Sequence, residues 1–177
     1  MVFSAPVRRW LLPNAVLLAA LSLWGVVRYP HLPDRIPQHI GIGGVDAWTD
    51  RSIGSAFVLV FVFIGVTGLL TACAELTLRV TPHSELSDGA ASFAPALVRS
   101  SLNRPRTRGS ALWMARALLV LNTCTGISLM IGCGVLWRSA PEQEVPGWLF
   151  TAMIVPILVG TAVTVASAVR DRKSHAS

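Results

Sequence analysis

The sequence predicts an all-α polytopic membrane protein: four transmembrane helices in a bundle, with a Pro/Gly-rich extracytoplasmic loop forming a cap. Three observations carry this reading. Hydrophobic residues fill 53% of the 177 positions and charged residues only 14%, whereas a soluble domain carries about 25% charged residues. The mean hydropathy is +0.58. The apolar residues also gather in four runs, each long enough for a bilayer core of about 30 Å, which needs about 20 helical residues. A soluble enzyme, a disordered chain and a collagen-like repeat are excluded by the same composition.

The first span covers residues 10–27, between Arg8-Arg9 and Arg28. Its 18 residues exceed the apolar stretch of a secretory signal peptide, about 7–15 residues. It therefore reads as an uncleaved anchor. The second span, 53–73, is followed by Glu75 and Arg79, a pair at helical spacing that extends the helix as a surface turn. The third, 117–137, lies between Arg116 and Arg138, and the fourth, 147–169, ends at Arg170. Trp10, Trp113, Trp137 and Trp148 sit near span ends, where indoles anchor at the interface. Pro13 falls near a helix start and is harmless, while Pro156 predicts a kink.

Lys and Arg counts set the orientation. The N-terminus, the loop 74–110 and the tail 170–177 carry ten, against four in the loops 28–52 and 138–146. Positive residues stay inside, so both termini and the long loop are cytoplasmic and the loop 28–52 faces outward. The net charge of +6 thus reports topology, and no nucleic-acid partner is expected. The four spans and their loops form one membrane domain, 1–177.

No ionisable residue falls at the centre of a span, which disfavours an ion-coupled transporter. Thr67, Asn122, Thr123, Thr125, Ser128, Thr161 and Thr164 are the milder polar groups, and Asn122 is expected to bond to a neighbouring helix. Gly65 and Gly68, Gly126, Gly132 and Gly134, and Gly160 let helices approach closely. They point to internal packing more than to a dimer face, though a homo-oligomer stays open. Cys73, Cys124 and Cys133 have no metal or disulfide spacing and read as core thiols. No cofactor and no catalytic motif is expected.

The outward loop is the most distinctive stretch. Pro30, Pro33 and Pro37 force an extended arm, and Gly41, Gly43 and Gly44 permit a reversal. Trp48 then returns toward the interface. Pro33, Pro37 and Gly44 would shape this cap, while Asp34, His39, Asp46 and Trp48 would present its binding surface. His31, His39, Asp34, Asp46 and Asp50 are the residue types of a cation site, but their spacing fits no metal motif. Turn capping and loop hydrogen bonds are the simpler role, and no metal is expected.

Leu32-Pro33-Asp34-Arg35-Ile36-Pro37, followed by His39, Gly44, Asp46 and Trp48, resembles the signature of an uncharacterised bacterial membrane domain. That domain also forms the N-terminal part of SdpI-type toxin-immunity proteins. The resemblance covers residues 32–48 and, more loosely, 11–70. It implies a bacterial cytoplasmic membrane, protection against a secreted peptide toxin and sequestration of a repressor. Ile40 and Gly41 depart from the pattern, and four spans stand where SdpI-like proteins have six. The resemblance implies no catalytic residue.

In the cytoplasmic loop, residues 92–102 fit a short interfacial helix, and Arg104, Arg106 and Arg108 form a juxtamembrane basic cluster. Such clusters gain about 1 kcal/mol per charge from an anionic inner leaflet, and this one could also dock a cytoplasmic regulator. The function expected is binding, immunity or signalling, with a peptide or envelope partner at the outer cap. The alternative is a small transporter or channel subunit.

Overall fold

The computed structural model describes residues 4–41, 44–85, 104–138 and 146–173. Helix α1 (Ala5–Arg28) passes through a 3-10 turn at Tyr29–His31 into two antiparallel strands, β1 (Arg35–Gly41) and β2 (Gly44–Asp50). A single turn, α2 (Ile53–Ala56), precedes α3 (Val58–Arg79). After a second 3-10 turn at His83–Glu85 come α4 (Arg108–Leu136) and α5 (Trp148–Lys173). Helices α1, α3, α4 and α5 are each long and apolar enough to cross a membrane. The molecule is mostly helical, as the sequence predicts, and carries a two-stranded hairpin within residues 28–52.

Side-chain caps fix the starts of α2 and α4, and in α4 the cap carries the helix beyond its apolar run. Thr107 Oγ1 accepts from Ser110 N at 3.1 Å, and Ser110 Oγ accepts from Thr107 N at 3.0 Å, so α4 starts well before the apolar run. Ser52 and Ser55 make the same reciprocal cap for α2, at 3.1 and 3.0 Å. Helix α3 ends at Arg79, as the Glu75–Arg79 spacing predicts, but Glu75 is not a surface residue. It is 7% exposed and accepts from Ser4 N and Ser4 Oγ at 2.7 and 3.0 Å, besides facing Arg79 at 3.7 Å. The carboxylate thus caps the start of α1 from the end of α3. Helix α5 continues through Pro156.

Helix α4 is the central element and packs against α1, α3 and α5. Toward the hairpin the core comprises Leu21, Ile36, Phe63 and Trp137 with their neighbours, and toward the other end Val7, Ala74, Ala115 and Leu119. Glycines permit the close contacts. A Cβ on Gly126 would stand 2.5 Å from Phe63 Cζ, and one on Gly160 2.9 Å from Leu121 Cα. Gly65 and Gly68 have nothing within 4 Å and serve no contact inside the bundle.

Polar groups inside the spans satisfy one another. Asn122 Nδ2 donates to Thr67 Oγ1 at 3.2 Å, and Thr67 Oγ1 lies 3.3 Å from Asn122 Oδ1, joining α4 to α3 as expected. Asn14, which the sequence reading passes over, is fully buried. Its Nδ2 reaches the Trp10 and Leu119 carbonyls at 3.3 and 3.5 Å, and its Oδ1 accepts from Thr123 Oγ1 at 3.2 Å, joining α1 to α4. The three cysteines are free thiols. Gly43, the expected helix at 92–102, the span-three loop beyond Arg138 and the tail beyond Lys173 lie outside the described residues.

Candidate functional site: the hairpin and the pocket beneath it

The hairpin is fixed to the bundle from three directions. Ile36 is fully buried among Leu21, Val60, Phe63 and Trp137. Arg51 closes the base of the hairpin. Its N–H donates to Asp34 O at 2.7 Å, its Nη1 to Leu32 O and its Nη2 to Asp34 Oδ1 at 3.3 Å. Its guanidinium also lies 5.8 Å from the Tyr29 ring centroid, a cation–π distance. Tyr29 continues into an aromatic stack with Phe57, Trp137 and Trp24, at centroid spacings of 6.0, 6.0 and 5.2 Å.

Trp137 is the hub of that stack. It is only 2% exposed, which corrects the reading of an interfacial anchor. Its Nε1–H donates to Ala56 O at 2.8 Å, and its carbonyl accepts from Arg28 Nη2 at 3.0 Å. An indole at a span end can serve as an anchor or as core, and the bonds available on α1 and α2 decide for core. Trp10, Trp113 and Trp148 remain 40, 60 and 66% exposed, as interfacial residues should be.

Within the hairpin, Arg35 faces Asp50, Ile36 faces Thr49, Pro37 faces Trp48 and His39 faces Ala47. The register shifts on both sides of His39. A bulge of this kind re-aims side chains, and it brings His39 to Asp46, with Nδ1 2.6 Å from Oδ1. The two side chains are 69 and 57% exposed. With Nδ1 engaged by the carboxylate, Nε2 is the nitrogen left for a ligand.

The other expected site residues are placed differently. Asp34 is exposed and serves Arg51. Pro37 is buried, Pro33 and Trp48 are half-buried, and Gly44 opens β2 opposite Gly41. His31 Nδ1 turns back to Val27 O at 3.2 Å, and Asp50 lies 4.0 Å from Arg35. The five His and Asp residues therefore do not converge. Among the described residues no three His, Cys, Asp or Glu side chains form a cluster fit for a metal ion.

Beneath β1 lies a cavity of about 390 Å³. Pro37, Gln38 and His39 form its rim on one side, and Leu59, Leu136 and Met153 belong to its apolar walls. It joins residues from β1, α3, α4 and α5 that are far apart in the chain, so no local pattern discloses it. Gly132 holds two walls together: a Cβ there would meet Leu59 and Met153 at 3.1 and 3.2 Å. Chemically, the pocket takes an apolar group and the His39–Asp46 pair offers a polar contact at its edge.

At the opposite end of the bundle, the basic cluster is partly engaged. Arg108 binds Glu85 through Nε and Nη2, both at 2.9 Å. Arg104 Nη1 donates to Thr81 O at 3.3 Å. His83 N and Ser84 N donate to Pro105 O and Arg106 O, each at 3.1 Å. These bonds close a stem across the base of the long loop. The hydrogen bonds and charge of Arg108 hold the Glu85 carboxyl below the usual carboxylate range, against a smaller opposing effect of burial.

No curated protein and no solved structure matches the chain. One family model, described as a domain of unknown function (DUF1648), matches residues 16–64. The stretch from α1 through the hairpin and into α3 is therefore similar to an uncharacterised domain, within a chain that has the build of a multi-pass membrane protein.

Proposed function

We propose that the protein is a non-enzymatic binding protein of the bacterial cytoplasmic membrane, of the immunity or signalling type. Its hairpin faces outward and receives a peptide or an amphipathic envelope molecule. The observation that carries this reading is the apolar pocket roofed by Pro37, Gln38 and His39 with the exposed His39–Asp46 pair beside it. A volume of about 390 Å³ suits one or two large apolar side chains, within the range of small-ligand sites, about 300–1,000 Å³. A two-stranded ribbon also has free edges, to which an extended peptide can add as a strand. The resemblance to SdpI-type proteins agrees with a secreted peptide as ligand. The excess of Arg at the other end agrees with its facing the cytoplasm, where the loop 74–110 would meet the anionic leaflet or a regulator.

The test is photocrosslinking in the native host from a reactive residue at Gln38, on the pocket rim. A discrete peptide or envelope adduct is expected, and its yield should fall about tenfold in His39→Ala, the loss of one hydrogen bond to a charged group. Adducts only to the protein's own helices would overturn the reading. Solute flux in proteoliposomes would instead favour the transport alternative.

A further inference from the structure

A cavity larger than the one beneath the hairpin is also present. It lies at the arginine-rich end, between the start of α4 and the end of α5, with a volume of about 650 Å³. Its polar lining includes Arg116 of α4 and Arg170 of α5, with Asp171 as the one carboxylate. Its apolar lining includes Val120 and Val163, and the indoles of Trp10 and Trp113 flank it.

Arg116 is the informative residue. Its Nε is buried and makes no hydrogen bond, and its guanidinium lies 5.6 Å from the Trp113 ring centroid. Leaving a buried donor on a charged group without an acceptor costs upward of about 1–3 kcal/mol. A planar guanidinium held against an indole is a ready partner for a phosphate. The cluster Arg104, Arg106 and Arg108 is less suited to that task, because Arg108 is held by Glu85 and Arg104 by Thr81.

We infer that this cavity binds the phosphate headgroup of an anionic phospholipid. Arg116 and Arg170 contact the phosphate, the two indoles set its depth at the interface, and an acyl chain runs down past Val120 and Val163. Two guanidiniums against one carboxylate favour a lipid of net negative charge over a zwitterionic one. A bilayer lipid fits better than a soluble phosphate because the apolar wall continues below the guanidiniums.

The test uses full-length protein taken from vesicles of equimolar phosphatidylglycerol and phosphatidylcholine, with retained lipid counted by native mass spectrometry. The wild type is expected to keep phosphatidylglycerol selectively. Arg116→Gln should weaken that retention about tenfold or more, the loss of a hydrogen bond to a charged group. Arg170→Gln should weaken it as well and guards against misfolding of the first variant. Arg35→Gln, on the hairpin at the other end of the bundle beside Asp50, should leave it unchanged. Equal retention in wild type, Arg116→Gln and Arg170→Gln would overturn the inference. So would displacement of the lipid by inorganic phosphate alone, which would make this a soluble-anion site.

Discussion

Gly126 and Phe63 show how finely single positions are set, since even a methyl group on Gly126 would collide with the ring at 2.5 Å. Gly126→Ala should destabilise the bundle by about 1–3 kcal/mol, read as a lower unfolding temperature in detergent. Gly65→Ala and Gly68→Ala meet nothing and should be neutral or stabilising by up to about 1 kcal/mol, the helix preference of Ala over Gly. A loss of stability at Gly65 or Gly68 would reveal a contact outside this chain. Trp137→Phe keeps most of the ring stack but leaves Ala56 O without its donor, at a cost of about 1–3 kcal/mol. Glu85 supplies a pH-dependent contact. Its lowered carboxyl pKa means that the Arg108 pair is intact above the ordinary carboxylate pKa and is lost as pH falls through the lowered value. Glu85→Gln should remove it at neutral pH, seen as faster amide exchange at Ser84, whose N–H bonds to Arg106 O.

At the scale of elements, the hairpin departs most from what local patterns announce. Strands usually show apolar and polar residues in alternation, but the register shifts beside His39 break that alternation, and prolines occupy part of the run. The sequence therefore reads as an extended, non-helical arm with a reversal. The strands are extended, but Tyr29 before Pro30 stays αR in a 3-10 turn that continues α1, and local pattern is silent about the pairing. The hairpin owes its place to Ile36 in the core and to Arg51 across its base. Arg51→Ala should raise amide exchange throughout β1 and β2 while leaving α3 and α4 protected. Uniform loss of protection would show that hairpin and bundle open together. The helices were legible, since apolar runs with flanking Arg give them directly, but the starts of α2 and α4 depended on serine and threonine caps at Ser52 and Thr107.

At the scale of the whole molecule, four long apolar helices alternate in direction, so the hairpin lies at one end and Ser4, Glu85, Arg108 and Arg170 lie toward the other. The Arg bias predicts which end faces the cytoplasm. In a background without native cysteines, Gln38→Cys should react with an impermeant maleimide in intact cells, and Ser84→Cys only after lysis. The opposite pattern would invert the proposed orientation. The asparagines tie the bundle together across its interior: Asn122 joins α4 to α3 and Asn14 joins α1 to α4. Each such interhelical bond in a membrane is worth about 0.6–2 kcal/mol, enough to fix which helix faces meet.

Composition and local pattern by themselves determined the solvent, the four spans and the stretch 28–52 as the most distinctive segment. These properties depend on residues close together in the chain: an apolar run of bilayer length, a flanking charge, a proline that fixes its own φ. Tertiary structure alone decided that Trp137 and Glu75 are buried, that Asn14 has partners on α4, and that His39 meets Asp46 while Asp34 serves Arg51. It also made the two cavities, whose walls come from residues as far apart in the chain as Trp10 and Asp171. Such features depend on which faces are brought together. A single sequence carries that information only through the packing it finally adopts.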